Sequence, residues 1–192
     1  MINRVPILVW FLVPTAVILG FGVWFFSRSE STLGVQDETK PISVSSPVAE
    51  IQEFAIVGRE HVDFGTPVTT YNSNPPTSGP HWPGSAKNGV YDNQLPDEQL
   101  IHNLEHGYIW ISYRPTGEAT DSAGISEDEK KKLTEIVAGD DWKMILEPRE
   151  ANDSKIALVA WGRVLNMQQF DESKIKDFIK TYRNRGPEKT PD

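Results

Sequence analysis

The chain has 192 residues, 27 acidic side chains against 19 basic ones, a net charge of −8 and no cysteine. This length suits one domain plus an appendage. The acidic balance excludes a nucleic-acid partner, which needs a basic face to neutralise phosphates, and the lack of cysteine excludes disulfides and thiol chemistry.

In chain order, the first feature is the uncharged run from Pro6 to Phe26, PILVWFLVPTAVILGFGVWFF. About 20 apolar residues in a helix cross the hydrocarbon core of a bilayer. Trp10 and Trp24 lie near the ends of the run, where amphipathic rings favour the interface, and Pro14 is tolerable inside a spanning helix. No Ala-x-Ala site comes after it, so residues 1–30 read as a short cytoplasmic tip and an uncleaved single-pass signal anchor. The short N-terminal tail places the rest of the chain on the extracytoplasmic side. Residues 31–50, rich in Ser, Thr, Pro and acids without an apolar period, read as a disordered tether. A globular domain is expected over 51–188, with a four-residue tail at 189–192.

Within the domain, His61 to Asn93 is dense in Pro, Gly, Asn, Ser and Thr, and the prolines of Asn74-Pro75-Pro76-Thr77-Ser78-Gly79-Pro80-His81-Trp82-Pro83 exclude a helix. Tyr71, Trp82 and Tyr91 predict that this long loop packs down and is ordered. Tyr108–Tyr113 predicts a strand. Ser126 with Glu129 is a capping box opening a helix over 127–138, closed by Gly139. Lys143–Leu146 and Ile156–Trp161 predict two more strands. Asp171 caps a last helix whose Ile175, Phe178, Ile179 and Tyr182 follow the helical period, with Gly186-Pro187 beyond it. The order β-α-β-β-α implies an α+β fold: a small sheet covered on one face by two helices, with the Pro-rich loop along its edge or end.

All four histidines, His61, His81, His102 and His106, fall in or beside that loop. His102 and His106 are spaced i, i+4, which on a helix sets two imidazoles on one face. With Glu105 between them they give the inverted zinc-protease order H-x-x-E-H, with Glu105 as the only catalytic candidate. Gly107 and the strand after it argue against a long helix, so a single turn is the expected setting. Such a turn brings His102 and His106 toward His81, with His61 as a fourth ligand or an orienting neighbour. Three imidazoles suit copper or zinc and leave a coordination position open. Met144 and Met167 are conceivable soft ligands for Cu(I), but each reads more simply as a core residue. No G-x-S-x-G or phosphate-loop pattern occurs. Three readings stay open: a transition-metal site, a non-catalytic interaction module with structural histidines and a surface of Trp82, Tyr91 and prolines, and a metalloprotease.

The blocks Pro75-Pro76-Thr77-Ser78-Gly79-Pro80-His81, Gly89-Val90-Tyr91, His102-Asn103-Leu104-Glu105-His106-Gly107, Ala160-Trp161-Gly162-Arg163 and Arg183-Asn184-Arg185-Gly186-Pro187-Glu188 together resemble the domain of unknown function family 3105. The resemblance implies a membrane-anchored prokaryotic protein with this globular domain, and motif positions for the four histidines. It implies no activity.

Overall fold

The computed structural model describes residues 51–116 and 124–190. The expected anchor and tether lie outside the described residues. Among the described residues no helix is long and apolar enough to cross a membrane.

The chain forms β1 (Ile51–Glu53), β2 (Gly89–Val90), α1 (Asp97–Glu105), β3 (Ile109–Tyr113), α2 (Glu127–Gly139), β4 (Met144–Pro148), β5 (Ile156–Ala160), β6 (Arg163–Met167) and α3 (Glu172–Tyr182). The strands make one six-stranded mixed sheet in the order β1-β6-β5-β3-β4-β2. β3 and β4 run parallel with Trp110 opposite Ile145, joined through α2, while β3, β5, β6 and β1 pair antiparallel. β5 and β6 form a tight hairpin through Trp161-Gly162, where Gly162 takes the positive φ of 71° that the turn needs.

The sheet is buried on both faces, which corrects the expectation of helices on one face only. Side chains alternate across a strand. Ile109, Ile111, Met144, Leu146, Ile156, Leu158, Leu165 and Met167 therefore point to one side, where they meet Leu133 and Val137 of α2 and Ile175, Phe178 and Ile179 of α3. Trp110, Ile145, Ala157, Val159 and Val164 point to the other and meet Leu100 and Leu104 of α1. Each such fully buried Leu, Ile or Phe contributes about 1.5–3 kcal/mol. The two C-terminal helices are as expected. Ser126 Oγ accepts from the Glu129 amide while Glu129 Oε2 accepts from the Ser126 amide, and Asp171 caps α3 through the Lys174 amide. Met144 and Met167 are core residues on the α2–α3 side, away from α1.

The third helix, α1, was not expected. Its C-terminus is a Schellman turn: the Gly107 amide donates to the Leu104 carbonyl at 2.9 Å and the Tyr108 amide to the Asn103 carbonyl at 3.0 Å. Gly107, at φ 82°, is the left-handed residue that ends the helix rather than one that forbids it. His102 to His106 thus form the last turn of a nine-residue helix and its C-cap.

The Pro-rich loop packs under α1, as its aromatics predicted. Asn103 fastens it by accepting from the Ala86 amide and donating to the Ala86 carbonyl, both at 2.8 Å. Trp82 Nε1 donates to the Thr66 carbonyl at 2.9 Å and Tyr71 Oη to the Pro80 carbonyl at 3.0 Å. Arg149, buried on the same side, grips Asp97 at the start of α1 through two hydrogen bonds of 2.9 and 2.7 Å and reaches Asn74 of the loop.

Beside Arg149, Glu147 is fully buried and accepts from the Leu95 amide and from Trp110 Nε1. Burial pushes its carboxyl up to about 8, with Asp97 adding to the shift and the two N–H donors and Arg149 opposing it. A folded-state value above the unfolded one adds stability that is complete below about pH 4.5 and is lost as pH rises through about 8. Melting curves of the wild type and Glu147→Gln between pH 5 and 8.5 should therefore diverge, the variant gaining on the wild type by more than about 3 °C as pH rises. Parallel curves would mean that Glu147 does not titrate in this window.

Candidate metal centre

Three separate segments deliver the site. Glu60-His61-Val62 runs beside Pro80-His81 as a short parallel bridge, in which the Val62 amide donates to the His81 carbonyl at 2.8 Å and the His81 amide to the Glu60 carbonyl at 3.0 Å. That bridge sets the two loop imidazoles side by side, with ring centroids 5.0 Å apart. The last turn of α1 supplies His102, whose ring lies 5.1 Å from that of His61 and 5.2 Å from that of His81, and Glu105. One ligand atom from each of His61, His81, His102 and Glu105 falls within 4.8 Å of all the others.

The electrostatics of the group favour a cation at its centre. His81 is fully buried, and its Nδ1–H donates to the Gly79 carbonyl at 2.8 Å, an atom that can only accept. Its Nε2 then faces Glu105 Oε2 at 3.1 Å. In a neutral imidazole this nitrogen carries a lone pair, so it opposes the carboxylate unless a proton or a metal ion stands between them. His61 Nε2 approaches the same oxygen at 3.9 Å. His102 Nδ1 is, among the described residues, the buried side-chain nitrogen or oxygen without a hydrogen-bond partner. Such a group carries a full desolvation cost, and native interiors rarely leave one. Burial first, then the imidazoles of His106, His81 and His61, lower the His102 value to about 4, with Glu105 opposing. His102 is thus held neutral, the form in which an imidazole binds metal.

His106 departs from the expected three-histidine set. As the C-cap of α1 it lies beside His102, ring centroids 4.5 Å apart, but it groups with Glu105 and Glu188 instead of with His61 and His81. Glu188 Oε2 is 3.7 Å from His106 Nε2. Arg59 adds a cation at the outer side, its Nε 3.4 Å from Glu105 Oε1.

The C-terminal segment holds this turn in place. The Glu188 amide donates to the Glu105 carbonyl at 3.0 Å and the Asn184 amide to the Gly107 carbonyl at 2.7 Å. Two glycines permit the approach: a Cβ on Gly107 would lie 2.8 Å from Asn184 Cα, and one on Gly186 would run into the Glu105 carbonyl oxygen and the Gly107 amide. Beneath them the buried Lys143 ammonium donates to the His106 carbonyl at 3.0 Å and to Thr190, placing a positive charge on the carbonyl end of α1.

The model of the family described as Protein of unknown function (DUF3105) matches residues 61–192. The chain belongs to this family. No curated protein and no solved structure matches the chain. The DUF3105 match starts at His61 and so takes in every histidine, Glu105, Glu188 and both clamping glycines.

Two members of this site carry no role in the sequence reading. Glu188 stands 82 positions beyond His106, after the last predicted helix, and only the fold returns it to α1. Arg59 precedes the loop in a stretch with no periodic signal. Glu105, the catalytic candidate of the H-x-x-E-H order, lies with His61, His81 and His102 in a group that could hold a metal ion.

Proposed function

We propose that the protein is a membrane-tethered extracytoplasmic domain that binds a transition metal, zinc or copper, through His61, His81, His102 and Glu105. The observation that carries the reading is that an unpartnered, buried His102 Nδ1 and a His81 Nε2 facing a carboxylate belong to residues that form one group with His61 and Glu105. Bonds of about 2 Å set tetrahedral ligand atoms about 3–4 Å apart, the range of the 3.1 and 3.9 Å that separate His81 Nε2 and His61 Nε2 from Glu105 Oε2. Three imidazoles and one carboxylate are borderline ligands suited to zinc or copper and poorly suited to calcium or magnesium. The Gly79 carbonyl fixes the His81 ring as an outer-shell acceptor does in metal sites.

Glu105 lies among the ligand atoms and not beyond them, which leaves the protease reading without a general base. Structural histidines would be expected to satisfy their nitrogens, and the buried His102 Nδ1 has no hydrogen-bond partner. The side chains of His61 and Arg59 are about half exposed, so the ion would be reached from solvent on that side. That opening suits exchange of the ion or an added ligand. The membrane tether rests on the uncharged run from Pro6 to Phe26.

Competition titration of the metal-free, detergent-solubilised full-length protein with Zn2+ and Cu2+ tests the reading. Binding at or below the micromolar range is expected for at least one of them, weakened 100-fold or more by His102→Ala. Millimolar binding of both ions, or tight binding indifferent to His102, would overturn it.

A further inference from the structure

We propose that the centre is dinuclear, with Glu105 bridging the ion of His61, His81 and His102 to a second divalent ion held by His106 and Glu188. The inference rests on the metal-binding reading and adds a second ion to it. Its ground is the sharing of one buried carboxylate by two ligand groups. Glu105, His106 and Glu188 also present ligand atoms within 4.8 Å of one another, and Glu105 is the member common to both sets.

The local geometry separates the two halves. His102 in the last turn of α1 and His106 at its C-cap are four positions apart with their rings edge to face, and the first joins the loop histidines while the second turns to Glu188. His106 Nε2 and Glu188 Oε2 are 3.7 Å apart, too far for a hydrogen bond and close enough for two ligands of one ion. Neither group is loosely placed. The His106 carbonyl is tied to Lys143, and the Glu188 amide to the Glu105 carbonyl.

Glu105 has the two oxygens a bridge requires. Oε2 faces His81 and His61, while Oε1 meets the guanidinium of Arg59, an exposed side chain that can withdraw to solvent. Arg59 thus places a positive charge against the Glu105 oxygen that a second ion would share. Two-metal centres hold their ions about 3.5–4 Å apart, a spacing one carboxylate spans. The second ion has fewer protein ligands, so it binds more weakly than the first.

Calorimetric titration of the metal-free full-length protein with Zn2+ is the test, read as stoichiometry and as two dissociation constants. Two ions per chain are expected, the second at least tenfold weaker. His106→Ala and the more exposed Glu188→Gln should each leave one ion, with the first constant within about threefold of wild type; Arg59→Gln should tighten the second step. One ion per chain in the wild type, or a tenfold loss of the first constant in His106→Ala, would overturn the dinuclear centre while leaving a mononuclear site standing. No binding at all would overturn both readings.

Discussion

Zinc or copper added to the metal-free full-length protein is expected to raise the melting temperature of the globular domain by about 10 °C, and a chelator to return it to the starting value. A ligand that binds only the folded state stabilises it by about 4.1 kcal/mol at a thousandfold excess over its dissociation constant. For a domain of about 140 residues, each kcal/mol is worth about 2–4 °C. The ligands come from the His61 segment, the Pro-rich loop around His81 and α1, which the unfolded chain does not hold together, so the binding free energy appears as folding free energy. In His81→Ala the metal-dependent gain should vanish. That variant also frees the Gly79 carbonyl, so its metal-free melting temperature should fall as well; the informative quantity is the gain on adding metal, not the starting value. An equal gain in wild type and variant would place the ion elsewhere on the surface.

The second large effect is expected at a residue with no side chain. Gly186→Ala should cost about 3 kcal/mol or more and lower metal affinity at least tenfold, although Gly186 offers no ligand. An added Cβ would run into the Glu105 carbonyl oxygen and the Gly107 amide, both backbone atoms that cannot move aside without shifting the end of α1. Overpacking of a tight contact costs about 1–3 kcal/mol, and loss of the Glu188–Glu105 and Asn184–Gly107 backbone bonds adds about 1 kcal/mol each. The turn displaced is the one carrying His102, Glu105 and His106, which couples the stability loss to the ligand geometry. Gly139→Ala, where nothing lies within 4 Å of the added Cβ, is the control and should leave the affinity unchanged. A Gly186→Ala protein with wild-type affinity would show that the C-terminal clamp does not position the site.

Much of the fold was legible from local pattern. The capping box at Ser126 and the helical period of Ile175, Phe178 and Ile179 encode α2 and α3, and the β-branched runs encode the cores of β3, β4 and β5. The second covered face was also written in those runs. Ile109-Trp110-Ile111 and Ile156-Ala157-Leu158-Val159 have no polar alternate, the mark of strands buried on both sides, whereas a sheet covered on one face would alternate. β6 was harder to see, because Arg163 and Asn166 interrupt its apolar residues. β1 and β2 are too short for any period and exist only by pairing with β6 and β4.

α1 was hidden for a reason that concerns function. Its buried side carries His102, Asn103 and Glu105 beside Leu100, Ile101 and Leu104, so the apolar stripe that announces a helix is broken by the residues that build the site. The helix also starts after Pro96 without a side-chain cap. Gly107 then pointed the wrong way: a glycine after a motif both stops a helix and completes one, and only the hydrogen bonds around it separate the two cases. Of the site itself, the histidine content was readable because the four residues are close in sequence. Their division into two groups was not, since Glu188 and the place of Glu105 in both groups depend on tertiary return.

In the proposed site His61, His81, His102 and Glu105 hold one ion in common. X-ray absorption at the zinc edge of the full-length protein loaded with a single equivalent of Zn2+ addresses it most directly. The predicted spectrum has a first shell of nitrogen and oxygen at about 2.0–2.1 Å with multiple scattering from three imidazoles, falling to two in His61→Ala and in His102→Ala. A shell of oxygen alone, or an imidazole count untouched by both substitutions, would contradict it.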